Sequence, residues 1–75
     1  MTRSAADDIK LVESWGCTRS EALEMVTRRA VFEARRVARE TRFKPDPVEL
    51  EHHLLYLDEL RCICLAAARQ TRAAG

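Results

Sequence analysis

The sequence predicts an all-α fold: a short N-terminal helix followed by a long antiparallel helical hairpin, dimerising into a helical bundle. Three observations predict it. Ala, Arg, Glu and Leu, all strong helix formers, dominate the 75 residues. Apolar residues recur at threes and fours, and Val, Ile and Thr never alternate with polar residues over a strand length. The internal helix breakers are confined to Gly16 and the Pro45/Pro47 pair, which divide the chain into one short and two long segments.

Each segment has readable ends. The first helix, residues 5–15, starts behind Ser4, with Asp7 three residues on as a Ser/Asp variant of the capping box, and stops at Gly16. Ile9, Leu11, Val12 and Trp15 give it an apolar face. The second, residues 19–42, starts with the full capping box Thr18-Arg19-Ser20-Glu21 and meets no breaker before Pro45. At 1.5 Å per residue it is ~36 Å long. The third, residues 47–72, has Asp46 as N-cap and Pro47 at the first helical position, where a missing amide costs nothing. Glu49 and Glu51 suit the positive end of its dipole, and Arg69 and Arg72 the negative end. Two helices of matching length joined by a tight Pro-containing turn read as an antiparallel hairpin. Residues 1–75 are expected to form a single helical domain.

The second helix separates into two faces at 100° per residue. Leu23, Val26, Ala30, Val31, Ala34, Val37 and Ala38 form the expected core stripe. Arg28, Arg29, Arg35, Arg36, Arg39 and Arg42 fall opposite, with Met25 and Phe32 among them. The third helix is apolar nearly all round, so it needs cover on more than one side. That argues for a second copy, with Leu54, Leu55, Leu57, Leu60 and Ile63 as the expected dimer interface.

The net charge of +1 hides an uneven distribution. Residues 18–44 carry eight Arg or Lys against four Glu, whereas residues 45–75 carry three Arg against five acids. An odd set of three cysteines, Cys17, Cys62 and Cys64, with no cleavable leader, points to reduced thiols in a cytoplasm. No apolar run approaches the ~20 residues of a membrane span. His52, His53, Cys62 and Cys64 lack the i, i+4 spacing that converges metal ligands on a helix, so no metal and no other cofactor is expected. There is no Ser/His/Asp grouping and no Gly-rich phosphate loop, and no catalytic residue is assigned.

The arginine face carries the functional expectation. A ridge of Arg28, Arg35, Arg39 and Arg42, with Arg29 and Arg36 beside it and Phe32 between, is what a plain solvated helix face shows, and equally what a docking face shows. Guanidinium forks pair with carboxylates or phosphates, and an aromatic supplies the apolar centre of an interface hot spot. Glu21, Glu24, Glu33 and Glu40 dilute the positive field and favour a protein partner over a bare polyphosphate. The first expectation is therefore a homodimeric adaptor or inhibitor of bacterial or phage type that docks on a protein. A helical subunit or chaperone of a larger complex is another alternative.

Residues 11–25 resemble a helix-turn-helix. Gly16 stands at the turn position, and Leu11, Trp15, Cys17, Ala22 and Met25 occupy positions that family keeps apolar. The resemblance implies a DNA-binding regulator, with Arg19 and Ser20 at the start of the recognition helix and Arg28 and Arg29 following on the same helix. It departs at Val12, where the family prefers Ala, and in the length of the second helix. Cys17 to Leu23 is also similar to the second-helix start of ribbon-helix-helix repressors, but only residues 1–3 precede Ser4, too few for that family's leading strand.

Overall fold

The computed structural model describes residues 3–74, which form three α-helices and, among the described residues, no strand. They are α1 (Ala5–Ser14), α2 (Arg19–Phe43) and α3 (Pro47–Ala74). Residues 1, 2 and 75, which the single-domain expectation and the start of any leading strand also cover, lie outside the described residues.

Local chemistry fixes the helix starts. The Ser4 hydroxyl accepts the Asp7 amide at 3.1 Å and Asp7 accepts the Ser4 amide at 3.4 Å. At α2 the Thr18 hydroxyl accepts the Glu21 amide at 3.1 Å, and the Glu21 carboxylate accepts the Thr18 amide at 2.9 Å. The Asp46 carboxylate takes the amides of Val48 and Glu49 at 3.1 and 3.2 Å. Each cap satisfies amides that the first turn leaves without a carbonyl. At the other end of α1, Gly16 adopts φ +95°, and its amide reaches back to the Glu13 carbonyl at 3.0 Å. That left-handed geometry turns the chain and sets Trp15 outside the last helical residue.

The three helices meet in one cluster of mostly small residues. Ala5, Ile9 and Val12 of α1, Ala22, Val26 and Ala30 of α2, and Leu60 of α3 are buried together. Cys17, Leu23, Tyr56, Leu57, Ile63 and Cys64 pack around them. Alanines at the contacts let the helix axes approach closely. Polar contacts then fix α1 against α3: the Ala6 amide donates to Glu59 at 2.8 Å, and the Tyr56 hydroxyl donates to Asp8 at 2.6 Å. Between α2 and α3, Thr27 lies beside Cys64 at 3.9 Å and Arg36 bonds Glu49 at 3.0 Å, so partner numbers fall along one helix as they rise along the other.

The position of α1 corrects the expected core. Val31 and Ala38 are exposed, whereas Ala22, absent from the expected stripe, is fully buried. α1 covers the side of α2 that carries Ala22 and Val26. The buried stripe is therefore rotated away from Val31 and Ala38. Trp15, expected on the apolar face of the first helix, is exposed because it follows the last turn.

The molecule is elongated, 46 × 25 × 19 Å, with a radius of gyration of 14.0 Å against about 11 Å for a compact chain of this length. Its accessible surface is 6107 Å², where a compact monomer of its mass exposes about 4,700 Å².

Two outcomes are expected. Nothing lies within 4 Å of a Cβ built on Gly16, so Gly16→Ala meets no clash and suffers only backbone strain. Urea denaturation should show a loss of about 1 kcal/mol, with Gly16→Asn losing less. The Glu21 carboxylate is held below its ordinary value of 4.5, first by the Thr18 amide and then by the Thr18 hydroxyl. Its folded pKa is depressed, so its stabilisation is complete above that ordinary value and is lost as pH falls through the depressed one. An acid titration followed by circular dichroism should show Glu21→Gln with a shallower loss of stability than wild type below about pH 4.5.

Candidate functional site

The outward face of α2 lies opposite Val26, Ala30 and Val37, and it presents Arg28, Phe32, Arg35, Arg39 and Arg42 to solvent. Phe32 is 64% exposed. Arg28 pairs with Glu24 one turn earlier at 2.6 Å, an exposed contact of small energetic weight. The Arg42 guanidinium stands 6.0 Å from the ring centre of Phe43. Arg35 and Arg39 make no ion pair among the described residues.

Arg36 departs from the expectation. Its guanidinium is shared among Glu33 at 2.9 Å, Glu40 at 2.9 Å and Glu49 at 3.0 Å. Hydrogen bonding to Glu49, then Glu33 and Glu40, raises its pKa above the ordinary arginine value. Arg36 is thus a tie between α2 and α3 and not a free member of the docking ridge. Glu33 and Glu40 are visible in the sequence at i−3 and i+4. Glu49 becomes a partner only through the turn.

The apolar part of the site is larger than the sequence suggested. Met25 precedes Phe32 by two helical turns and shares its flank, also exposed. With Leu11, Val12, Trp15 and Val26 it lines a groove of about 530 Å³ between α1 and α2, with Arg29 and Tyr56 at its edges. Trp15 is 64% exposed there. The clue to its exposure was Gly16, which leaves no helical turn beyond Ser14 to cover the indole.

On α3 the expected dimer residues divide. Leu60 is buried in the chain's own core, which corrects its expected place at a dimer seam, and Leu57 and Ile63 are half-buried against that core. The cause is α1, whose cover the third helix's own pattern does not reveal. Leu54 and Leu55 remain exposed, joined by Val48 and Leu65.

The residues of the helix-turn-helix resemblance do not assemble as that family implies. Ala22 is buried and Leu11 and Cys17 are half-buried, but Trp15 and Met25 face solvent. Arg19 pairs with Glu13 at 3.0 Å, Ser20 is exposed in the first turn of α2, and Arg29 lies at the groove edge. Glu13, Glu21 and Glu24 crowd this end of the helix with negative charge.

A second groove, of about 510 Å³, runs between α2 and α3 beside Tyr56, Glu49, His52 and His53. The Tyr56 phenol is pushed above its ordinary pKa by burial and then by its bond to Asp8. The His53 Nε2 is enclosed without a hydrogen-bond partner, and His52 is exposed. Among the described residues no group of three His, Cys, Asp or Glu is placed to hold a metal ion, and Cys17, Cys62 and Cys64 are free thiols. No described helix is long and apolar enough to cross a membrane.

No protein-family model, curated protein or solved structure matches the chain.

The Tyr56–Asp8 bond anchors α1 on α3, and bonds to charged acceptors are worth about 1.5–3 kcal/mol when buried. This one is partly exposed. Tyr56→Phe should cost about 1.5 kcal/mol in denaturant unfolding and accelerate amide exchange in α1 more than in α2.

Proposed function

We propose that the chain is a small non-enzymatic adaptor or inhibitor that docks on a protein partner through the outward face of α2 and acts as a homodimer held by α3. α2 and α3 form an antiparallel hairpin in this reading, as the Thr27–Cys64 and Arg36–Glu49 contacts favour. The observation that carries the proposal is Phe32, an exposed aromatic set among guanidinium groups, of which those of Arg35, Arg39 and Arg42 have no carboxylate partner among the described residues.

The composition of the patch indicates the partner. Trp15, Met25 and Phe32 with arginines between them are the residue types that anchor protein interfaces. The complementary surface carries an apolar side chain for the groove beside Trp15 and carboxylates for Arg35 and Arg39. Self-association is supported by the surplus surface and by the leucines left uncovered on α3. Three free thiols suit a reducing cytoplasm.

DNA binding through Arg19, Ser20, Arg28 and Arg29 has weaker support. Acids neighbour the first turn of α2, and two of these arginines are already ion-paired. A role as subunit or chaperone of a larger complex would set a foreign helix on α3 in place of a twin, and would leave the isolated chain monomeric or aggregated.

Pull-down with tagged wild-type protein beside Arg35→Glu identifies the partner, and calorimetry then measures it. Phe32→Ala should weaken binding by about 2 kcal/mol or more, roughly thirtyfold. Raising salt from about 50 to 200 mM should cost less than tenfold, where a site built on six to ten phosphates would lose about a thousandfold or more. A steep salt dependence with no Phe32 effect would reverse the assignment in favour of nucleic acid.

A further inference from the structure

The outer side of α3 holds a regular stripe. Glu51, Leu55, Asp58, Cys62, Leu65 and Arg69 follow one another at spacings of four and three, and all six are exposed. That alternation keeps one line of side chains facing a partner helix. The core-facing residues Tyr56, Leu60 and Ile63 lie on other sides of the same helix. The stripe is therefore a second seam, separate from the one that builds the monomer.

Its charges run in order. The acids Glu51 and Asp58 occupy its N-terminal half and Arg69 its C-terminal end. Laid parallel on a second copy, Glu51 would face Glu51, Asp58 would face Asp58 and Arg69 would face Arg69. Laid antiparallel about a two-fold axis near residue 60, Glu51 meets the other copy's Arg69, Leu55 meets Leu65, and Asp58 meets Cys62. Both leucines and both terminal charges then find complementary partners in a self-matching interface.

We infer that α3 pairs with α3 of a second copy of this chain, antiparallel, with the two-fold axis near residue 60 and the Glu51–Arg69 pairs selecting orientation and register. The inference rests on the self-association proposed above and adds its geometry. The area agrees. The chain exposes roughly 1,400 Å² more than a compact monomer of its mass, and a standard interface covers about 800 Å² per partner. Charged residues within a helical seam weaken it, and their use is to penalise wrong alignments. One α3 stripe with three apolar and three charged members therefore makes a specific dimer of moderate strength.

The test uses the full chain. Sedimentation equilibrium measures self-association of wild type, Glu51→Arg, Arg69→Glu and the double variant, with helix content by circular dichroism as the folding control. Both positions are exposed, so the monomer fold should tolerate each change. Antiparallel pairing predicts that either single variant dimerises at least tenfold more weakly, because each sets like charges together twice. The double variant should return to within about threefold of wild type. A parallel dimer would give neither loss nor rescue, since its charge pairs begin as like against like. Dimers insensitive to the single changes, or not rescued by the double, overturn the antiparallel seam while leaving self-association standing. A wild-type chain that stays monomeric at high concentration, or one that forms a larger oligomer, overturns the seam and the homodimer together.

Discussion

Ile9 is the one large side chain wholly sealed from solvent among the described residues, and it is sealed because α1 fits against both long helices at once. Without that insertion, α2 and α3 would touch mainly through valines, alanines and Leu60, a thin interior for two helices of this length. The insertion is directional as well as greasy. Glu59 accepts an amide at the N-terminal end of α1, where the helix dipole favours a negative charge, and Tyr56 meets Asp8 two residues further on. Apolar contact supplies the attraction, and these two bonds select the angle at which α1 sits. The groove beside Trp15 exists because α1 lies at that angle.

The energetic weakness of so small a core explains the surface. A chain that buries mainly Ala and Val inside itself retains its larger apolar residues for other contacts. Apart from Phe43, Val31 and Val48, those left exposed lie in two places. Trp15, Met25 and Phe32 accompany the arginines of α2, whereas Leu54, Leu55 and Leu65 lie along α3. Both places mix apolar and charged groups, the character of surfaces that associate specifically. Were each place to engage its own partner, the two tasks would not compete for the same residues.

Helix starts and stops were legible because they depend on neighbours within four residues. Ser4 with Asp7, Thr18 with Glu21, and Asp46 before Pro47 announce themselves locally, and so does Gly16. The all-helical class follows from the same signals. The arginine ridge was also legible, since it needs only the helical period. What escaped was nonlocal. Arg36 reads as one more arginine of the ridge until the turn brings Glu49 to it. Leu57, Leu60 and Ile63 read as excess until α1 is placed over their neighbours. The rotation of the buried stripe from Val31 toward Ala22 has the same origin: a third helix approached from a side that the period of α2 alone does not specify.

The contacts of α1 also impose an order of events on the nascent chain. Its amide at Ala6 is satisfied by a residue 53 positions later, and its apolar face closes on Leu60. While the ribosome is still making α2, α1 has its capping box and alanines to shield it, but half its seat has not been synthesised. Closing so long a loop carries an entropic cost that local helix formation does not. Across the short turn from Trp15 to Thr18, α1 can lean on α2 early, but its seat is complete only when Leu60 arrives, and until then the interior stays open on the side where Ile9 will lodge.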